Sequence, residues 1–365
     1  MGKFSSTLNR RIAIGLCMLA SFGCGTRFLN PVEQQTLAYV VTASALETYV
    51  IDDTGRATFI SRTLNTFQSA NDILKHPQYP LLYVSDYTAG KILVFQINSA
   101  NGSSYLAGSA THAGTAPIAF ASESGRLLSA SLTAGKVASF AAGTDGSLSD
   151  KKILNAGGVN PDVGTDADRR FVFISDSTGG PVLYVFKDGT SLTSATQVSG
   201  AITCLACFYA SRSGTDWLFV VNQISGKLQS ISFDGSDGAL TAHATLLQAN
   251  GIPADAASAL MHPTLPIVYV LGSTSIAVIS VNLETGAMTR IATHAYPTGA
   301  ATNSLRTADL DPGGKFFYYV SGSSFYSYPI DATSGVLGTV PEITTLGSSG
   351  AKALKIVRLG LALHH

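Results

Sequence analysis

The sequence predicts an all-β protein, a seven-bladed β-propeller with four-stranded antiparallel blades. The first observation is a short apolar run with an aromatic residue or Leu at one place, which recurs seven times at spacings of 44 to 50 residues. The second is that runs rich in Val, Ile, Tyr and Phe alternate with turns containing Gly, Asn, Asp or Ser, as in β-hairpins. We call the repeated residues the anchor residues; they are Tyr39, Tyr83, Leu128, Phe173, Phe219, Tyr269 and Tyr319.

Each complete repeat contains four predicted strands. In the second repeat, an inner strand at 72–75 ends at the turn His76-Pro77, where the Pro donates no ladder hydrogen bond. The apolar run with Tyr83 follows, and a Gly-containing turn leads to a third strand at 92–97. A second turn, which ends in Gly because the backbone must reach positive φ, precedes the outer strand.

The first repeat has no inner strand, because its first β-run is at 37–41. A strand-like run at 354–359 has no hairpin after it. We therefore predict that this C-terminal strand completes blade one and closes the ring, which leaves no open sheet edge between the first and last blades. We expect almost no helix outside the N-terminus.

The repeat resembles a known sequence unit. Leu-Tyr-Val-Ser at 82–85, Gly-Lys-Ile-Leu-Val-Phe at 90–95 and the Asn98 to Gly102 turn are similar to the YVTN repeat. Residues 37–360 thus resemble the seven-bladed lactonase-like propellers, the 6-phosphogluconolactonase-like family. This resemblance implies a site in the central channel, lined in enzymatic members by His, Arg and Glu. The predicted inner strands here contain no His and one clear Arg, Arg306, which argues against lactonase chemistry.

Polar residues near the starts of the inner strands are the predicted ligand-binding residues of the channel. We expect them to provide a mouth of mixed charge for a small polar ligand. The candidates are Asp72, Asp162, Asp255, Ser258, Asn303 and Arg306, with Thr115, Thr203 and Lys355 beside them. If the protein were a lactone hydrolase, Asp72 or Asp162 would be the base and Arg306 would polarise the carbonyl group.

The N-terminus has the features of an export signal. Lys3 and two arginines precede an apolar stretch at 12–22, which is of signal-peptide length. Gly23-Cys24 follows and resembles a lipobox, although Leu19 lies farther from the Cys than in the usual pattern. We predict a lipoprotein signal peptide at 1–23, a lipidated Cys24 with a tether at 24–36, and a disordered tail at 361–365. A plain secretory signal, a retained N-terminal anchor and a twin-arginine signal are the alternatives.

The remaining motifs favour structural roles. Cys204 and Cys207 have a C-x-x-C spacing, but residues three apart on a strand point to opposite faces and no second Cys pair completes a zinc site. His76 and His262 begin His-Pro turns, and Asp311-Pro312 occupies the matching place in the last repeat, so we assign all three to turn formation. Asp234 to Gly238 lacks the further acids of a calcium loop. We predict no metal and no cofactor.

The charge composition indicates which classes of partner to expect. The 365 residues carry 23 basic and 23 acidic side chains, so the net charge is zero and nucleic acid is not an expected partner. We predict a monomeric, lipid-anchored propeller on the bacterial cell envelope, periplasmic or surface-exposed, that acts as a binding or interaction platform for a protein or a small polar ligand. The alternative is a hydrolase acting on a sugar lactone or a related small molecule in the channel.

Overall fold

The computed structural model describes most of the chain between residues 34 and 360. The residues that it leaves undescribed within this range are 66, 122–124, 132, 134–135, 155–162, 166–168, 170, 177–181, 187–193, 198–206, 211–216, 223–225, 235, 237–238, 257 and 298–305. The predicted signal peptide, Cys24 and the C-terminal tail lie outside the described residues. In the described part, no helix has the length and apolar character needed to cross a membrane.

The described strands form four-stranded antiparallel sheets, which we number in chain order. Sheet one contains β1 (Gln34–Val41), β2 (Ala45–Ile51) and β3 (Ala57–Leu64). Sheet two contains β4 (Ala70–Lys75), β5 (Leu81–Asp86), β6 (Lys91–Ile97) and β7 (Ser104–Thr111). Sheet three contains β8 (Thr115–Ala121), β9 (Arg126–Ser131), β10 (Lys136–Ala142) and β11 (Leu148–Leu154).

The later sheets repeat this order. Sheet four contains β12 (Val163–Thr165), β13 (Val172–Asp176), β14 (Val182–Phe186) and β15 (Ser194–Gln197). Sheet five contains β16 (Cys207–Ala210), β17 (Trp217–Asn222), β18 (Lys227–Phe233) and β19 (Leu240–Leu246). Sheet six contains β20 (Ser258–Met261), β21 (Ile267–Leu271), β22 (Ser275–Val281) and β23 (Met288–Ala295). Sheet seven contains β24 (Ala308–Leu310), β25 (Phe316–Ser321), β26 (Ser324–Pro329) and β27 (Glu342–Thr345). The last strand, β28 (Ala353–Gly360), pairs with β1.

This arrangement confirms an all-β propeller built from small four-stranded antiparallel blades. The only helix in the described residues is a single 3₁₀ turn, Gln248–Asn250. Strand β1 begins at Gln34, ahead of the predicted propeller start at residue 37. The C-terminal strand lies antiparallel to β1, with Lys355 opposite Tyr39, so it occupies the inner position of sheet one.

The core lies between the faces of the sheets. Among the described residues, the buried apolar side chains form seven clusters. Six of these clusters lie between sheets that are consecutive in the chain, and the seventh joins Tyr318 of sheet seven to Ala38 and Tyr49 of sheet one. Apolar side chains on both faces of each sheet are thereby removed from water, which is the main favourable contribution to folding.

The anchor residue of each sheet packs against the sheet that follows it, but the anchor predicted for sheet seven is wrong. Tyr39 and Tyr269 each donate a hydrogen bond of 2.8 Å to a hairpin carbonyl of the next sheet, Gly102 O and Gly335 O. In sheet seven the anchor is Tyr318 rather than the predicted Tyr319, because Tyr318 packs toward sheet one whereas Tyr319 packs toward sheet six. Phe316 to Tyr319 is an unbroken aromatic run, so its pattern alone does not reveal which ring faces which neighbour.

The turn assignments are confirmed. The His76 Nδ1 atom accepts hydrogen bonds from the main-chain N–H groups of Gln78 and Tyr79, both at 3.1 Å. His262 Nδ1 accepts from Thr264 and Leu265 in the same way. Asp311 Oδ2 takes this role in sheet seven, where it accepts from the main-chain N–H groups of Gly313 and Lys315. A ring nitrogen and a carboxylate oxygen therefore satisfy the same turn.

Candidate functional site

One residue of every inner strand pairs with the anchor residue of its own sheet, and we call these residues together the boundary layer. Its members are Lys355, Leu74, Ala119, Gly164, Ala210, Leu260 and Asp309, in sheets one to seven. Two of the seven are charged, and they belong to the last and first sheets. Three of its members, Leu260, Asp309 and Lys355, line two cavities that lie on either side of it.

The first of these cavities, of about 150 Å³, lies at the beginnings of the inner strands, and we call it the paired cavity. Strands β4, β8, β20, β24 and β28 contribute to its wall. Its polar lining consists of Asp72, Ser258, Arg306, Asp309 and Lys355. Three of the predicted channel residues, Asp72, Ser258 and Arg306, therefore lie together in one cavity.

Asp72 is buried and bonded on both carboxylate oxygens. Its Oδ1 atom accepts from the main-chain N–H of Ile73 at 2.9 Å, and its Oδ2 atom accepts from that of Ile118 in sheet three at 3.0 Å. The Arg306 Nε atom lies 3.6 Å from the same Oδ2. Burial raises the pKa of Asp72, whereas the Arg306 guanidinium and the two N–H groups act to lower it.

Asp309 has a similar environment on the other side of the cavity. Its Oδ1 atom accepts from the main-chain N–H of Leu310 at 2.9 Å, and its Oδ2 atom accepts from that of Ile356 in β28 at 2.8 Å. The Lys355 Nζ atom lies 2.7 Å from Oδ2. Asp72 and Asp309 thus each bridge two inner strands and each have a cation beside them.

The other predicted channel residues either lie outside the lining of the paired cavity or are not described by the structure. Asp255 is exposed outside the paired cavity, where its carboxylate accepts from the main-chain N–H of Ser273 in a loop of sheet six at 3.1 Å. Thr115 is buried and its hydroxyl hydrogen-bonds to that of Ser129. Asp162, Thr203 and Asn303 lie outside the described residues, so their place in the channel stays a prediction.

Asp309 was missed by the sequence analysis. It lies in the inner strand β24, at a boundary-layer position that is Leu74 in sheet two and Leu260 in sheet six. The sequence did contain a signal for this residue, because it has a carboxylate at a position where other repeats have an apolar side chain. A buried or half-buried acid needs a partner, and the Lys in the C-terminal run was the candidate.

No metal site is found in the described residues, where no three His, Cys, Asp or Glu side chains are placed to hold an ion. Cys207 begins β16 and Cys204 is not described, so their structural role stays a prediction. His243 and His294 lie in the outer strands β19 and β23, and His112 follows the outer strand β7. The described inner strands contain no histidine that could act as an acid or base in the paired cavity.

The fold is similar to that of several solved structures. A Bacteroides fragilis protein assigned as a 6-phosphogluconolactonase matches with a TM-score of 0.74 and 13% identity, over 91% of this chain and 100% of its own. A counterpart from Bacteroides uniformis gives a TM-score of 0.71 and 14% identity, over 89% of this chain and 100% of its own. The periplasmic gluconolactonase of Pseudomonas aeruginosa gives 0.70 and 14%, over 90% and 100%.

The sequence comparisons gave no match. No protein-family model matches the chain, and no curated protein is significantly similar to it in sequence. At 13–14% identity, the structural likeness establishes the lactonase-like propeller fold. One fold supports many functions, so any activity depends on the particular residues of this chain.

Proposed function

We propose that this chain is an exported propeller that binds a small polar ligand in the paired cavity and does not transform it. The observation that carries this proposal is the bonding of the two acids. Asp72 and Asp309 each accept two main-chain N–H groups and each lie beside a cation. A carboxylate held in this way is a poor general base, since taking a proton would weaken bonds that join two strands.

The partly exposed cations favour ligand binding. The side chains of Arg306 and Lys355 are 26% and 30% exposed, whereas Asp72 is 7% exposed. A ligand therefore meets N–H donors first, with the hydroxyl of Ser258 in the same wall. Hydroxyl and carboxylate oxygens are the groups that such donors recognise, which favours a sugar acid or a related polyol.

Calorimetric titration of the purified mature protein with sugar acids and sugar lactones tests this proposal. We expect binding by the wild type, a loss of at least tenfold in affinity in Arg306→Gln, and no acid release from lactones. Arg56→Gln is the matched control, because Arg56 is 67% exposed and lies in the turn before the outer strand β3. Equal affinity in Arg306→Gln and wild type would contradict the proposal.

Lactone hydrolysis is the second candidate. Two findings favour it: burial raises the pKa of Asp72 toward the range of a working acid or base, and Arg306 lies beside it. In this case Asp72 would remove a proton from water and Arg306 would polarise the lactone carbonyl. Lactone turnover that Arg306→Gln abolishes without unfolding the protein would establish this candidate over simple binding.

We further propose that the seven sheets are the blades of one closed ring, sealed by β28. The pairing of β28 with β1 and its bonds to sheet seven support this. The Leu354 N–H donates to Arg306 O at 2.8 Å, and the Ile356 N–H donates to Asp309. Deleting residues 351–365 should lower the melting temperature of the whole protein in one transition, and an unchanged melting temperature would contradict closure by this strand.

Export and lipid attachment at Cys24 complete the proposed function. The support is the sequence of the first 24 residues, together with the periplasmic location of one structural neighbour. Labelling with a radioactive fatty acid should mark the wild type and Cys17→Ala but not Cys24→Ala. Equal labelling of Cys24→Ala would leave an ordinary secreted or anchored propeller.

A further inference from the structure

A cavity of about 220 Å³ lies between sheets two and three, and we call it the intersheet cavity. On the side of sheet two it is lined by the turn from His76 to Tyr79, which joins β4 to β5. On the side of sheet three it is lined by Phe120 of β8, by Gly125 in the turn before β9, and by residues 142–144 at the end of β10. It shares no described lining residue with the paired cavity, so it is a separate place in the fold.

His76 presents a buried hydrogen-bond donor to this cavity. The residue is only 3% exposed, and its Nδ1 atom accepts the main-chain N–H groups of Gln78 and Tyr79. Because Nδ1 is an acceptor, the proton of the neutral ring lies on Nε2, at the opposite edge of the imidazole. Burial is the main reason that the pKa of His76 is lowered to about 4, so the ring is neutral at pH 7. This Nε2–H group has no acceptor among the described residues.

The corresponding histidine of sheet six has an acceptor at this nitrogen. His262 forms the same turn, and its Nε2 atom donates to Gly314 O in the turn of sheet seven, at 3.0 Å. The two are so close that a Cβ on Gly314 would clash with the ring. In sheet three the corresponding turn spans 122–125, and no described atom lies within 4 Å of where a Cβ on Gly125 would stand. The oxygen acceptor that the chain supplies to His262 is therefore not supplied to His76 by any described residue.

Rings and apolar side chains form much of the described lining. The ring of His76 lies 4.6 Å from that of Tyr79 and 4.4 Å from that of Phe120, measured between centroids. Pro77 and Ala142 add further apolar surface. Aromatic side chains pack well against another ring in offset or edge-to-face arrangements. An apolar cavity of about 150 Å³ is large enough for benzene, so the intersheet cavity has room for one six-membered ring with a small substituent.

We propose that the intersheet cavity binds a small neutral molecule that has one aromatic ring and a hydroxyl or carbonyl oxygen. The oxygen accepts the Nε2–H of His76, and the ring packs beside Tyr79 and Phe120. A buried donor without an acceptor is unfavourable, so a ligand that brings an oxygen to it gains both a hydrogen bond and apolar contact. This site goes beyond the proposed function, because none of its described lining residues belongs to the paired cavity.

Saturation-transfer NMR titration of the purified mature protein at pH 7 tests this inference, with benzyl alcohol as the probe and toluene as the same ring without an oxygen. His76→Asn keeps an acceptor for the turn but removes the Nε2–H group, so it should weaken benzyl alcohol binding about tenfold and toluene binding less. His262→Asn makes the same change where Nε2 is bonded to Gly314 and should bind like the wild type. Tyr79→Leu copies Leu265 of the sheet-six turn and should weaken the binding of both probes, because it removes one ring of the lining.

Two controls show where the probe binds and whether each variant folds. In protein that contains nitrogen-15-labelled histidine, the signals missing from His76→Asn belong to His76, and benzyl alcohol should shift its Nε2 signal but not that of His262. Circular dichroism and the melting temperature monitor the fold, and Tyr79→Leu decides alone if His76→Asn does not fold. Arg306→Gln should bind benzyl alcohol like the wild type, which separates this site from the proposed function. No binding of benzyl alcohol by the wild type, or equal weakening by His76→Asn and His262→Asn, would overturn the inference.

Discussion

The paired cavity and the larger cavity on the other side of the boundary layer share four inner strands, β4, β20, β24 and β28, yet different polar side chains line them. Before the boundary layer, Asp72 and Asp309 match Arg306 and Lys355. After the boundary layer, the described lining includes Arg169 and Lys75, whose Nζ atom donates to the carbonyl oxygens of His76 and Tyr79. The same strand thus presents different polar groups at its start and at its end, so the fold alone does not set what the channel binds.

The largest expected effect comes from the ion pair shared by both cavities. Asp309→Ala leaves Lys355 without its carboxylate and the Ile356 N–H without its acceptor. We expect a loss of about 3–4 kcal/mol in the free energy of unfolding. Urea denaturation followed by circular dichroism measures it.

A double variant tests whether the pair is needed for stability. Asp309→Leu with Lys355→Leu restores the apolar side chain found at Leu74 and Leu260 in the same layer. Replacing both charges by packed apolar groups is often neutral, so we expect stability near that of the wild type. A double variant as unstable as Asp309→Ala would show that the charges themselves are required.

Acid should destabilise the end of the channel at which the inner strand β4 finishes. Burial, together with Lys75 and Arg169, lowers the pKa of His76 to about 4, and its Nδ1 accepts two main-chain N–H groups that a protonated ring cannot bind. The unfolded chain takes up this proton near pH 6.5, whereas the folded protein does so only near pH 4. Stability is therefore complete above pH 6.5 and falls as the pH drops toward 4, by up to about 3 kcal/mol.

His76→Asn is the matched control for this pH dependence. The Asn carbonyl oxygen accepts from the same turn but does not titrate. Its unfolding free energy should change less between pH 7 and pH 4 than that of the wild type, as measured by urea denaturation at each pH. Parallel curves for the two proteins would exclude His76 as the source of acid sensitivity.

The repeat made the fold predictable, since it placed the strands, the turns and the inner position of the C-terminal strand. His76, His262 and Asp311 were assigned correctly because one turn recurs with different acceptors. The site was harder, because a channel joins residues from distant repeats. Asp72 and Arg306 were singled out by their position in the repeat, but their contact depends on how distant repeats are placed, which no single repeat encodes.

Local ambiguity explains the other misses. Asp255 was grouped with the channel because it precedes an inner strand, but it lies in the loop before β20 and bonds to Ser273. The anchor of sheet seven was misplaced within four consecutive aromatic residues. Lys75 and Arg169 were not singled out, since their repulsion exists only after β4 and the loop that follows β12 are brought together.

A smaller effect is expected at Asp72, on the paired-cavity side of the boundary layer. Asp72→Ala removes the acceptor that joins β4 to Ile118 of β8, and should cost about 2 kcal/mol. Asp72→Asn keeps one acceptor oxygen and should cost about 1 kcal/mol. Thermal unfolding measures both.

The smallest effect distinguishes two anchor residues that pair with the boundary layer. Tyr269 of sheet six donates a hydrogen bond to Gly335 O of sheet seven. The buried hydroxyl of Tyr83, by contrast, has no hydrogen-bond partner among the described residues. Tyr269→Phe should therefore lose about 1 kcal/mol of unfolding free energy, while Tyr83→Phe should be neutral or slightly stabilising, because it removes an unsatisfied buried group. Both variants keep the ring that packs beside Leu260 or Leu74, so the two cavities keep their shape. Urea denaturation of the two variants in parallel measures this difference, and an equal loss in both would mean that the Tyr83 hydroxyl has a partner in solution, such as bound water.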